Sequence, residues 1–337
     1  MAKTVDELTL RGLLGIADSP GRPSSSPYTR NARYLSSLDG FNIKRPAIPP
    51  AIFREERDRA LDSSTPTGLI PLDLSSRLGL PYPATTPLVL AQYARVRAGE
   101  RLTTELRATT EFWYVMRGSG RTTFGSGGSG GSGRYGGADG PAGAGGREAI
   151  DWAPGDIFCL PGGGRVAHEA GGTDVVLWVV SNEPQLAHEH AQPTIDDAPF
   201  AVAHYPADEI QRRLLGVYLD PRGAEMAGKS VNFGNAALEA DRTTAPTLTL
   251  ALNSLLPGQA QRGHRHNAVA VTLVVAGEGC YSLIDGEQVD WEPDCVMITP
   301  PTRFHSHHND GGGLALFLIV QDGGLYYHCR TMGFSWE

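Results

Sequence analysis

Two histidines one residue apart, His264 and His266, head the run "HRHNAVAVTLVVAGEG". Alternate residues of an extended strand share a face, so on a strand the two imidazoles project together. His305 follows a hairpin-like segment with a turn at Asp285-Gly286, which places it on a neighbouring strand. Three neutral imidazoles converging on one point make half an octahedron for Fe(II), Mn, Ni, Cu or Zn, and the opposite positions stay open. His307 lies two residues past His305 and shares its face if the strand continues. An imidazole that titrates near neutrality suits proton transfer beside such a centre. Arg303, two residues before His305, is the candidate cation for a substrate carboxylate, whereas Arg265 alternates away from its histidine neighbours.

The elements that must position these residues are strands. From about residue 86 the chain consists of short apolar runs, β-branched residues and regularly spaced turns, the texture of a sandwich or barrel. The texture occurs twice. "GERLTTELRATTEFWYVMRGSG" from Gly99 aligns with "GQAQRGHRHNAVAVTLVVAGEG" from Gly258, so that Gly118 meets Gly277 and Gly120 meets Gly279. Further on, "DWAPGDIFCLP" from Asp151 aligns with "DWEPDCVMITP" from Asp290. The first copy carries extra residues between these blocks, the glycine-rich Gly125 to Gly146, which cannot bury apolar surface and read as a disordered loop. Short helices are expected at "PAIFREERDRALDSS" and "PADEIQRRLLGVYL", and near the N-terminus with a capping box from Thr4 to Glu7. Residues from about 17 to 35 read as a flexible arm.

Composition narrows the function. The 337 residues carry 29 Lys and Arg against 37 Asp and Glu, a net charge of −8 that disfavours nucleic acid or an anionic membrane as partner. No apolar run is long enough for a membrane span. The N-terminal residues lack a signal-peptide core, and the four cysteines are scattered without paired spacing, which points to a reduced, cytoplasmic protein.

A duplicated β domain with a G-x5-H-x-H block and then a P-x-x…P-x4-H block resembles the cupin superfamily. The resemblance implies a mainly β bicupin: two double-stranded β-helix (jelly-roll) barrels, with short helices in an N-terminal arm and a connector. It divides the chain into an arm at 1–85, a first cupin at 86–183 with the insertion at 125–146, a connector at 184–240 and a second cupin at 241–337. By the motif, His264, His266 and His305 are the metal ligands, and the position of the usual fourth ligand, a glutamate, is Ala270. This three-histidine form, "HRHNAVA" with "FHSHHN", looks like the gentisate 1,2-dioxygenase-like bicupins, which include salicylate and 1-hydroxy-2-naphthoate dioxygenases. These use Fe(II) and O2 to cleave aromatic rings that carry a hydroxyl beside a carboxylate.

The resemblance therefore implies an O2-dependent ring-cleaving dioxygenase, extradiol-type or gentisate-like, for a hydroxylated or aminated aromatic acid. It also implies a homo-oligomer, a dimer or tetramer. His307 becomes the catalytic histidine beside the metal. The substrate-binding candidates are Arg303, Thr272, which stands where the family has an arginine, and Tyr326 in the terminal "YYHCRTMGF". Ile319 stands where the family tends to carry an aspartate, and the metal motif lies in the second cupin rather than the first. In the first copy Glu105, Arg107 and Val166 replace the ligands, Glu111 holds the fourth position and His168 matches His307; Glu105, Arg107 and Glu111 are expected as a polar plug inside the barrel. Two other functions fit the same motifs. One is another three-histidine cupin enzyme, such as a thiol dioxygenase, isomerase or lyase; the other is a non-catalytic bicupin that binds a small molecule through its metal.

Overall fold

The computed structural model describes residues 5–15, 26–38, 40, 43–125, 148–194, 198–223 and 228–336. Apart from Gly125, the glycine-rich insertion lies outside the described residues. The chain forms two compact units, Met1–Arg45 and Pro46–Glu337. The first holds two short helices. Glu7–Leu13 is capped by the Asp6 carboxylate, which accepts the Thr9 N–H at 3.0 Å; Thr4, the expected start of a capping box, lies outside the described residues. Pro27–Asn31 is capped by Ser26 and lies inside the stretch expected as an arm.

The second unit is mainly antiparallel β structure and contains two barrels, each made of one six-stranded and one smaller sheet. In the first barrel the large sheet is built around Leu90–Val96, Glu111–Arg117, Ile157–Leu160 and Val175–Ser181. In the second it is built around Thr249–Leu255, Ala270–Ala276, Val296–Thr299 and Ala315–Gln321. The smaller sheet of the second barrel carries Ala260–His266, Cys280–Ile284, Glu287–Asp290 and His305–Asn309. This is a bicupin, as the repeated blocks imply.

The large sheets are apolar on both faces. In Val175–Ser181 every residue is buried: Leu177 and Val179 face the inside of their barrel, while Val176, Trp178 and Val180 join a core that also contains Val271, Leu273, Ile298 and Val320 of the second barrel. The period of two thus feeds two cores at once, which is why the strands read as continuous apolar runs rather than alternating ones. Polar contacts fix the join: the Tyr93 hydroxyl donates to the Asp294 carbonyl at 2.7 Å, and Arg117 pairs with the Asp294 carboxylate at 2.6 Å.

The segments before each barrel repeat as well. Ala51–Ile52 pairs with Val296–Thr299 of the second barrel, the helix Arg54–Leu61 follows, and Gly68–Pro71 then pairs within the first barrel. In the connector, Ala203–Tyr205 pairs with Ile157–Leu160 of the first barrel, the helix Ala207–Leu219 follows, and Lys229–Asn232 pairs within the second. Each unit of strand, helix, strand and barrel therefore lends its leading strand to the other barrel, a reciprocal exchange. Both segments look polar and helical in sequence because two- and three-residue edge strands leave too little alternation to detect.

Trp178 is buried in the shared core. Trp178→Ala is expected to cost about 3–5 kcal/mol and to lower a single melting transition common to both barrels. Calorimetry showing two transitions, one at the wild-type temperature, would contradict the shared core.

Candidate metal centre

The strand Ala260–His266 ends on the histidine pair, and His305 opens the antiparallel neighbour His305–Asn309. His264 and His305 are direct cross-strand partners. The register shifts between Gln261 and His264, a bulge that re-aims the end of the strand. Gly263 sits in this bulge, where a Cβ would lie 2.3 Å from the Phe304 ring; only glycine lets that ring close over the bend. The three imidazoles each offer a ring nitrogen, and these atoms lie within 4.8 Å of one another.

Each ring is held by a backbone carbonyl close in sequence. His264 Nδ1 donates to Arg262 O at 2.9 Å, His266 Nδ1 to Ala268 O at 2.8 Å and His305 Nδ1 to Arg303 O at 2.9 Å. A carbonyl only accepts, so each Nδ1 carries the proton and each Nε2 keeps its lone pair. Burial pushes all three pKa values down, His305 to about 3, so the rings are neutral at neutral pH. Three fixed, neutral, convergent nitrogen donors fit a divalent transition metal. The side chain of Ala270, at the fourth-ligand position, lines the same cavity and leaves its space open.

The cavity measures about 190 Å³. Besides the four histidines 264, 266, 305 and 307, it is lined by the amides of Asn232, Asn253, Gln261 and Gln321 and by apolar groups that include Ile319, Met332 and Phe334. Gln321 Nε2 approaches His266 Nε2 at 3.3 Å, on the side a metal would take. Phe334 stacks on His264 with centroids 5.3 Å apart. It belongs to the terminal strand Phe334–Trp336, which pairs with the histidine strand.

His307 lines the cavity and is buried. Its Nδ1 lies 2.8 Å from the Ser282 hydroxyl, which accepts the Trp291 indole N–H at 2.8 Å. With the indole on the hydroxyl oxygen, the hydroxyl proton is directed to Nδ1, which favours the tautomer with its proton on Nε2. Burial, with the neighbouring histidines adding to it, drives the His307 pKa well below its ordinary value.

Three sequence expectations change. Arg303 does not line the cavity: its guanidinium pairs with Asp285 at 2.6 Å on the surface, and only its carbonyl serves the site. Tyr326 lies on the helix Gly323–Cys329, where a strand end was expected; the helical turn brings its neighbour Tyr327 to the cavity instead. Thr272 is buried one step deeper than Ala270 on the same strand face, outside the lining, and its hydroxyl has no partner.

The first barrel also departs from expectation. Glu105 is exposed and Arg107 donates to the Ala191 carbonyl, while Leu106 and Ala108 are buried in the barrel core. The faces are exchanged, as a one-residue change in strand phase requires, so Glu105 and Arg107 form no plug. Glu111 alone of the three is inside, where its carboxylate accepts the Trp113 indole N–H at 3.0 Å. The relay around His307 is repeated here as Trp152, Thr122 and His168, at 2.8 and 2.9 Å.

Gln321 and Ser282 escaped the sequence reading. Their signal is a polar residue at an inward position of an apolar strand, as in "ALFLIVQ" and "CYSLI".

Comparison with known proteins agrees with this architecture. The family model "Cupin domain" matches residues 252–321. Gentisate 1,2-dioxygenase from Ralstonia sp is 37% identical over 82 residues, 24% of this chain and 23% of the relative. Gentisate 1,2 dioxygenase 1 from Aquipseudomonas alcaligenes is 34% identical over 137 residues, 40% of this chain and 37% of the relative. The matches thus span about a quarter to somewhat over a third of these curated relatives. The crystal structure of salicylate 1,2-dioxygenase from Pseudaminobacter salicylatoxidans superposes with a TM-score of 0.68 at 15% identity, covering 99% of both chains. Fold and site together define a bicupin with a three-histidine centre in its second barrel. Within that class the chain is similar, over part of its length, to gentisate 1,2-dioxygenases.

Two outcomes are expected. His264→Ala and His305→Ala should each lower bound metal at least about tenfold, measured by elemental analysis of protein loaded without oxygen; full retention by either removes that residue from the centre. Burial raises the Glu111 pKa to about 8 from an ordinary 4.5. Between those values the folded chain keeps a proton that the unfolded chain has released, so stability falls as pH rises. Glu111→Gln removes this loss and should stabilise by on the order of 3 kcal/mol more at pH 8 than at pH 5. Equal effects at both pH values, by denaturant titration, would contradict a buried, protonated Glu111.

Proposed function

We propose that the chain is a non-haem Fe(II), O2-dependent dioxygenase that cleaves the ring of a hydroxylated or aminated aromatic acid. The observation that carries the reading is the set of three carbonyl-held imidazoles with Ala270, rather than a carboxylate, in the fourth position. An all-neutral donor set leaves the metal its full charge, which suits an anionic substrate that binds through two atoms. The relatives are named 1,2-dioxygenases, so gentisate-like rather than extradiol-type is the fitting description.

Iron(II) bound here would supply electrons for activating O2 and coordination positions for the substrate. His264, His266 and His305 would hold it, and Ala270 would leave space beside it. Ile319, Met332 and Phe334 wall the cavity with apolar surface against which an aromatic ring packs. The Gln321 amide, next to His266 Nε2, turns to hydrogen-bond an oxygen of the bound acid. His307, neutral because it is buried, holds a proton at Nε2 and presents it to a negatively charged oxygen in the cavity. Ser282 and Trp291 keep its ring from rotating. All four cysteines are free, which fits the cytoplasmic setting that belongs to this reading; a dimer or tetramer belongs to it as well. No helix among the described residues is long and apolar enough to cross a membrane.

The test is O2 uptake by iron-loaded protein across a panel of aromatic acids, with product mass. A gain of two oxygen atoms supports ring cleavage; an unchanged mass indicates an isomerase, and binding without product a non-catalytic bicupin. His307→Ala should keep near wild-type iron and lose roughly a hundredfold in turnover. Loss of iron would make His307 a ligand, and an unchanged rate would leave it a structural role like that of His168.

A further inference from the structure

The polar wall of the metal cavity is unusual in charge. Apart from the imidazoles and the Tyr327 phenol, its polar side chains are neutral amides, and no lysine, arginine, aspartate or glutamate lines it among the described residues. Gln261 stands out among the amides. It lies on the histidine strand at the edge of the bulge, as the direct cross-strand partner of His307. Its Oε1 is shut off from solvent and meets no hydrogen-bond donor. A buried acceptor left without a donor is disfavoured, and such groups in native structures are satisfied by something that arrives.

We propose that Gln261 is a specificity-determining residue that accepts a hydrogen bond from an uncharged N–H or O–H on the substrate ring. The inference rests on the reading of the site as an aromatic-acid dioxygenase and narrows its substrate. One carboxylate is compensated at the metal centre. A second anionic group would face a neutral wall with no counter-charge, which is disfavoured. An amide oxygen rewards a donor and gives nothing to an ether oxygen of similar size. The substrate class is thus an aromatic acid with a single carboxylate and a further amino or hydroxyl substituent that stays neutral at neutral pH.

The experiment is anaerobic calorimetry on the full-length, iron-loaded protein. The ligands are salicylate, 5-aminosalicylate, gentisate, a methoxysalicylate and a carboxysalicylate. Wild type should bind the amino and hydroxyl compounds about tenfold more tightly than the methoxy compound, the scale of one hydrogen bond, and the carboxy compound most weakly. In Gln261→Leu the donor-to-methoxy ratio should fall towards one, with iron content and circular dichroism as controls. An unchanged ratio in the variant overturns the assignment, as does a wild-type preference for the methoxy or carboxy compound. If the leucine variant fails to hold iron or to fold, Gln261→Met replaces it, and the wild-type ratios decide by themselves. O2 uptake in the same samples separates this inference from the reading beneath it. Discrimination among ligands without O2 consumption sinks the dioxygenase and keeps Gln261 as the selective residue. O2 consumption without discrimination does the reverse.

Discussion

Three hydrogen bonds from imidazole to carbonyl, at Arg262, Ala268 and Arg303, set the geometry of the candidate metal centre. An unrestrained imidazole exchanges tautomers and rotates, and only one combination of three rings places three lone pairs on one point. Each carbonyl lies two residues from the histidine it holds, so the selection is local and is written into the strand ends and the bulge. Burial adds the second condition by keeping the rings neutral, His305 most clearly. A proton and a bound metal would compete for the same Nε2 lone pair, and burial weights that competition against the proton.

The two barrels show which parts of the design belong to the scaffold. Both keep an indole, a hydroxyl and a histidine in series, Trp291–Ser282–His307 and Trp152–Thr122–His168. The series therefore links neighbouring strands of the smaller sheet in each barrel, and in the second barrel a cavity opens in front of its histidine. In the first barrel Trp113 occupies the position of Thr272 and lies 4.0 Å from His168, ring to ring, so that space is filled. Small side chains such as Ala251, Ala268 and Ala270 line the opening in the second. The reciprocal strand exchange and the shared core make the filled barrel a rigid support for the open one.

Much of this was legible in the sequence. Histidines at i and i+2, repeated glycines and the aligned "DW…P" blocks carry strong local constraints, so the duplication, the barrels and the convergence of the three histidines could be read directly. The rest of the cavity wall could not. Arg303 looked suitable by spacing from His305, but nothing in spacing reveals that Asp285 draws it to the surface. Tyr326 and Tyr327 differ by one residue, and choosing between them requires knowing that the segment is helical. Glu105 and Arg107 align with ligands, yet a change of strand phase sends them outward, an event that substitution patterns in one sequence do not record. The amide wall is assembled from Asn232, Asn253, Gln261 and Gln321 on four different strands and has no linear signature.

X-ray absorption spectroscopy of the iron-loaded protein, kept free of oxygen and measured before and after addition of an aromatic acid, addresses the centre directly. The account predicts three imidazole ligands in both samples, no protein carboxylate, and a change confined to the remaining oxygen ligands when the acid is added. Fewer than three imidazoles, or a carboxylate ligand from the protein, would contradict it.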